Sequence, residues 1–290
     1  MTKDQKKVLE KLIANDQHPE RGEIEFVKDP LEVDCFERIS PNYAERWYTN
    51  GQLLDCSALK DGWPDGLYQR WLRDGQLLYR CTYENGVPEG LIQAWWKNGQ
   101  LESKYTNKNG RIDGFAEHWY ESGQLSRRAN YKEDKLEGLD ESWYPNGQLA
   151  RRAYYKDNKE EGLEEWWYDN GQMKSRGNYK DGRQDGVYEE WYENGQPKGQ
   201  VNYKDGKREG KQCWWDESGE LQYWGNFKND KPHGICEIKN SDGTISQSIY
   251  KDGFTLSQKE TNRFTDEVRI NDESKKKITI LPKKKGLIKI

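Results

Sequence analysis

The chain has 290 residues, of which 34% are charged and only 32% hydrophobic, with a formal net charge of −4 and a mean hydropathy of −1.26. Polarity of this order suits chains that cannot bury enough apolar surface to offset ordering entropy, but 13 Trp, 18 Tyr and 6 Phe exclude a disordered chain. No apolar run reaches the about 18 residues of a membrane span, and the opening MTKDQKKVLEKLIANDQ lacks the apolar stretch of a secretory signal, so an intracellular, cytoplasmic protein is expected.

Trp and Tyr far outnumber Phe. These rings join an apolar body to a polar handle and suit half-wet surfaces, so a thin structure is expected rather than a thick core. Cys35, Cys56, Cys81, Cys213 and Cys236 contain no C-x-x-C pair and read as reduced thiols in strands, not as zinc ligands or a disulfide framework.

In chain order, residues 3–15 place Val8, Leu9, Leu12 and Ile13 on one stripe among Lys and Glu, which predicts a short amphipathic helix. Residues 23–48 predict one or two irregular strands, and residues 1–41 together read as an N-terminal cap. A repeat then takes over. Trp47, Trp71, Trp95, Trp119, Trp143, Trp167, Trp191 and Trp215 stand 24 residues apart, and Gly51 to Gly243 and Gly66 to Gly234 form two further series of that period. Self-similarity at a fixed period is the signature of a repeat architecture. Eight full units cover 42–233, and a ninth, degraded unit ends the array near residue 254.

Each unit reads as a β-hairpin. Asn-Gly at 50–51, 98–99, 146–147, 170–171 and 194–195 predicts type I′ turns, and a second turn falls in stretches such as K-D-G-R at 180–183 and K-D-G-K at 204–207. The predicted fold is all-β, an elongated antiparallel meander of 24-residue hairpins with a short N-terminal helix. Residues 255–290 form a C-terminal cap, with strands at 268–270, 278–281 and 287–290 and a turn from Pro282 to Gly286.

The recurring W-Y-T-N-G-Q-L at 47–53, W-Y-P-N-G-Q-L at 143–149, W-Y-E-N-G-Q at 191–196 and Y-K-D-G at 179–182 and 203–206 resemble the MORN-repeat superfamily. The closer resemblance is to its bacterial variant, the "antitoxin component" (YwqK-like) family, over the array but not over residues 1–41 or 255–290. The resemblance implies an elongated twisted sheet used for binding and supplies no catalytic residue.

Counting outward from Asn-Gly puts Tyr120 opposite Leu125, Tyr144 opposite Leu149 and Tyr192 opposite Pro197. This Tyr/Leu ladder, continued by Tyr131, Tyr155, Tyr179 and Tyr203, occupies one face; the Trp series occupies the other, with Leu91, Phe115, Leu139, Leu163 and Val187. The same count sets Glu117 opposite Arg128, Glu141 opposite Arg152 and Glu165 opposite Arg176, and Gln69–Arg80 and Gln93–Lys104 in equivalent places. These pairs are expected as solvated ladders that keep an exposed sheet soluble.

Catalysis by two carboxylates needs environments that push their pKa values apart. Glu160-Glu161, Glu164-Glu165 and Glu189-Glu190 sit in near-identical repeats, with adjacent residues on opposite faces, so no enzyme, cofactor or metal is expected. His18, His118 and His233 have no second ligand at metal spacing. Residues that recur in every unit serve folding; those that break the repeat while adding ring surface are freer to meet a partner. Trp166, Trp214, Tyr223 and Trp224 are the candidate partner-binding residues. Trp166 and Trp214 occupy one repeat position, held elsewhere by Arg70, Ala94, His118, Ser142 or Glu190.

The expected function is a non-catalytic scaffold for a protein partner, in the antitoxin or immunity-like sense of occluding it. The alternative is a peripheral membrane or lipid-binding module. Residues 275–290 hold seven Lys and no acid, leaving −11 on residues 1–274, so an anionic membrane could meet the tail, whereas the acidic body would repel nucleic acid.

Overall fold

The structure, a computed structural model, describes residues 1–17, 19, 22–27, 35–262, 267–270 and 278–281. It comprises two compact units, Met1–Lys159 and Glu160–Ile290. Apart from the helix Lys3–Ala14, every described regular element is a strand. Within each unit hairpin follows hairpin, so the fold is the all-β antiparallel meander that the repeat predicts.

The first turn differs from the sequence reading, whereas the second has the positive φ expected of its Asp, Asn and Gly residues. At the first turn only the glycine has a positive φ, as at Gly51 (+89°) and Gly195 (+82°). Gly51 N–H donates to the Tyr48 carbonyl and Tyr48 N–H to the Gln52 carbonyl, both at 2.8 Å. This is a three-residue loop ending in a bulged glycine, not a type I′ turn. The type I′ signature, positive φ at both central residues, lies at the second turn: Asp181 (50°) with Gly182 (76°), and even Glu133 (49°) with Asp134 (67°).

The bulge shifts the register beside the turn by one residue. Trp119, Trp143 and Trp191 stand opposite Leu125, Leu149 and Pro197, the places expected for Tyr120, Tyr144 and Tyr192. The Tyr/Leu ladder is therefore corrected: these leucines belong with the Trp series. Beyond the bulge the count holds, with Glu117 opposite Arg128, Glu141 opposite Arg152, Glu165 opposite Arg176, Gln69 opposite Arg80 and Gln93 opposite Lys104. The tyrosines of the second strands keep their own face: Tyr131, Tyr155, Tyr179 and Tyr203 each lie opposite a glycine of the second series.

The core is thin. On the Tyr face a row of small or slender side chains is buried, including Cys81, Ile92, Ala116, Ala129, Ala153 and Val201, and tyrosine rings fold over it, as where Tyr68 meets Tyr79 and Tyr83 edge-on at about 6 Å. All five cysteines are buried and lie in strands. At the N-terminal end, Thr2 and Gln5 form a capping box, and Val8, Leu9 and Leu12 pack on Ile24, Phe36 and Trp47. The strands Glu25–Val27, Cys35–Ser40 and Tyr43–Tyr48 lead into the array. At the other end Glu267–Ile270 pairs antiparallel with Ile278–Leu281. His18, the turn Pro282 to Gly286, the strand at 287–290 and most of the Lys-rich tail lie outside the described residues.

Candidate functional site

Most recurring residues are occupied in joining one repeat to the next. Four tyrosines that follow a Trp of the series donate their hydroxyls to the Trp carbonyl 23 residues on: Tyr48 to Trp71, Tyr120 to Trp143, Tyr168 to Trp191 and Tyr192 to Trp215, at 2.7–3.0 Å. Trp96 does the same with its indole N–H. Asn170 accepts from Gln172 N–H at 2.9 Å and donates to the Glu193 carbonyl at 3.2 Å, a bridge that Asn50, Asn98 and Asn194 repeat. Glu89, Glu137, Glu161, Asp185 and Glu209, each just before a glycine of the second series, accept the N–H of the next turn, as Glu161 does from Asp181 at 2.9 Å.

The Glu–Arg pairs of the Trp face are less solvated than expected. Glu141, 5% exposed, lies between Arg128 and Arg152, each 3.0 Å away, and Arg128 lies over the Trp143 ring at 5.8 Å. Glu189, Arg176 and Trp191 repeat the arrangement in the second unit. The carboxylates are buried under guanidinium groups that stack on the Trp ladder.

What varies is one row on the Tyr face, running across the strands at the repeat position of Trp166 and Trp214. In the first unit it is mostly polar, with Tyr79 its one Tyr or Trp ring. Arg46 forks Asp55 at 2.6 and 2.9 Å beside a cleft of about 800 Å³ lined also by Tyr68 and Tyr83, and further along Arg127 and Arg151 hold Asp140 at 2.9 and 3.2 Å. In the second unit the row is aromatic. Its successive Cα partners are Trp166, Ser175, Glu190, Gly199, Trp214, Tyr223 and Ile238.

Trp166 is 38% and Ile238 50% exposed, and Trp214 and Tyr223 are half-buried. The Trp214 ring occupies the place where a Cβ on Gly199 would lie, and Tyr188 similarly closes over Gly177 at 2.8 Å, so glycines let rings lie down on the sheet. Burial, with Cys236 second, pushes the Tyr223 hydroxyl up, and burial raises Tyr188 to about 12. Glu190, midway between Trp166 and Trp214, accepts from the Tyr188 hydroxyl at 3.0 Å and meets Lys198 at 3.4 Å.

Three of the four sequence candidates thus share one surface, and the fourth does not. Trp224 is 3% exposed, packed with Cys213 and Trp215 on the Trp face, and its indole N–H donates to Glu237 at 2.7 Å. It is a core residue. The sequence reading placed Glu190 at the repeat position of Trp166 without counting it as a binding residue, and it missed Ile238, which shares that position. Among the described residues no group of three or more His, Cys, Asp and Glu side chains could hold a metal, and no helix is long and apolar enough to cross a membrane.

Residues 64–85, 113–133, 136–157, 160–181, 184–205 and 208–229 match the MORN repeat variant family, so the chain carries tandem repeats of that type. None of the curated proteins matches it. Among solved structures, the crystal structure of the computationally designed Ika8 protein is similar at 14% identity over 86% of this chain and 90% of that one, with a TM-score of 0.16, a likeness too slight to bear on this chain.

Proposed function

We propose that this tandem MORN-type chain is a non-catalytic, intracellular scaffold that docks a protein partner on the Tyr face of its second unit. The observation that carries this reading is the change at one repeat position, from Arg46, Arg70, Ala94, His118 and Ser142 in the first unit to Trp166 and Trp214, on either side of Glu190, in the second. Folding does not call for it, because the first unit keeps the same strands and turns with no indole at that position. Partly exposed Trp and Tyr rings are the side chains most enriched at binding hot spots, and every described element packed against this row is a strand of the same sheet. The narrower role is antitoxin-like, the row occluding a toxic partner.

A photo-crosslinker at position 190 tests this in the producing cell. It should trap one discrete protein, and Trp166→Ala with Trp214→Ala should abolish the adduct. Equal trapping from position 118, in the polar part of the same row, would sink the reading.

A second reading rests on the type I′ turns. Lys180 faces Arg183, Lys204 faces Lys207 and Lys228 faces Lys231, all exposed. Like charges directly opposite one another are destabilising, and an anionic membrane meeting this edge and the basic tail would relieve that cost. Co-flotation with anionic but not neutral vesicles, lost on charge reversal at these six positions, is its test.

A further inference from the structure

We infer that the cleft beside Arg46 and Asp55, at the start of the array, binds an amphipathic cation: a primary ammonium group carried on an aromatic body. The site lies wholly within the first unit and is independent of the docking reading above.

The cleft exists because the repeat changes there. Tyr83, Tyr131, Tyr155, Tyr179 and Tyr203 share one repeat position, and Leu59 stands at that position in the first repeat. Beside it, Ile39, Ala44, Ser57 and Tyr68 are successive Cα partners on the Tyr face, so two short side chains lie between two large ones. With no ring at position 59 and a floor of Ala44 and Ser57, a hollow of about 800 Å³ stays open. Sites of roughly 300–1,000 Å³ take small organic ligands. At one end Tyr68 and Tyr83 meet edge-to-face, ring centroids 6.1 Å apart; at the other Ile39 is 64% exposed. Aromatic and branched walls of this kind match an aromatic ligand body, whose ring packs edge-on or offset against theirs.

Charge selects the polar group. Three charged side chains line the cleft: Glu37, Arg46 and Asp55. Arg46 and Asp55 satisfy each other through their fork at 2.6 and 2.9 Å, which leaves Glu37. Its carboxylate is half-buried, and no described residue holds it by a hydrogen bond or ion pair. Glu25 stands directly opposite Glu37 on the neighbouring strand, and like charges so placed are destabilising. A cation beside Glu37 relieves that repulsion, whereas an anion would add to it. An ammonium there also gains from the faces of the tyrosine rings. A free arylalkylamine and the amino terminus of a peptide that begins with an aromatic residue both present this chemistry.

Isothermal titration calorimetry on the full chain tests the site with four probes: naphthylethylamine, phenylalanyl-phenylalanine amide, and that dipeptide amide acetylated or succinylated at its amino end. At least one ammonium probe should bind about tenfold tighter than the acetylated peptide, the typical gain from one charge-assisted hydrogen bond. The succinylated peptide should bind weakest. Binding of naphthylethylamine alone supports the site with a free amine as its source, and binding of the dipeptide amide alone supports it with a peptide terminus. Glu37→Gln should erase the preference for ammonium. Leu59→Tyr restores the ring of the other repeats and should abolish binding of every probe. The probe comparison on the unaltered chain decides the matter even if a variant folds poorly. Ammonium probes binding no tighter than the acetylated peptide, tighter binding of the succinylated one, or binding of none overturns the inference. Ammonium binding that survives both substitutions overturns it too.

Discussion

The Tyr168 hydroxyl donates a 2.8 Å hydrogen bond to the carbonyl oxygen of Trp191, one repeat further along the chain. The bond crosses from one hairpin's loop to the end of the next hairpin's strand, so it ties units together rather than closing either. Tyr168→Phe removes the donor and keeps the ring. It should cost about 0.5–1.5 kcal/mol, the net worth of one such bond, read as a lower urea midpoint with unchanged binding. An unchanged midpoint would mean that water replaces the hydroxyl at no cost.

Turn chemistry separates positions that look alike in sequence. Gly171 has φ +84°, and Gly171→Val should cost more than the about 1–2 kcal/mol of placing an ordinary residue there. Asn170 has no positive φ, so Asn170→Asp should lose little beyond its amide's bond to Glu193. In the other turn Asp181 has φ +50°, and Asp181→Val should be as damaging as the glycine change. Thermal melts of the three variants check the order; a severe Asn170→Asp defect with a mild Asp181→Val one would restore the opposite turn assignment.

Trp224 and Trp166 should behave oppositely. Trp224→Phe leaves the carboxylate of Glu237, 1% exposed, with one donor fewer, and should cost about 1–3 kcal/mol. Trp166→Ala, at a partly exposed ring, should move the melting point far less while weakening partner binding by about 2 kcal/mol. Paired melting and binding measurements decide this, and a large stability loss at Trp166 would return that ring to the core.

Alkaline titration reads the thin core directly. Burial raises Tyr83 and Tyr188 to about 12, against about 10 for a free tyrosine, and it also raises Tyr79, Tyr179 and Tyr223. These groups hold protons in the folded chain that the unfolded chain has already released. Their contribution is therefore complete below pH about 10 and is lost as pH rises toward 12 and beyond. Absorbance at 295 nm should show tyrosines ionising late and together with loss of far-ultraviolet β signal. Simple titration near pH 10 with the fold intact would contradict the burial.

The 24-residue spacing of Trp and Gly in the sequence was enough to determine the hairpin meander, because a strict period with turn residues at fixed offsets leaves one way to pair neighbours. It also set the Glu117–Arg128 and Glu141–Arg152 register, since pairing by alternation holds wherever the strand is regular. It could not show the bulge at Gly147, which depends on where the backbone turns left-handed: Asn-Gly permits two loops, and the one adopted lets Asn reach the next unit. That single extra residue moved Leu149 from Tyr144 to Trp143. Counting along the strands does put Trp214 and Trp224 on opposite faces, but it does not tell which of the two is buried: only the packed structure puts Glu237 and Cys213 around Trp224 while Gly199 leaves Trp214 lying on the sheet. Local spacing specifies pairing; which ring meets solvent depends on neighbours far apart in sequence.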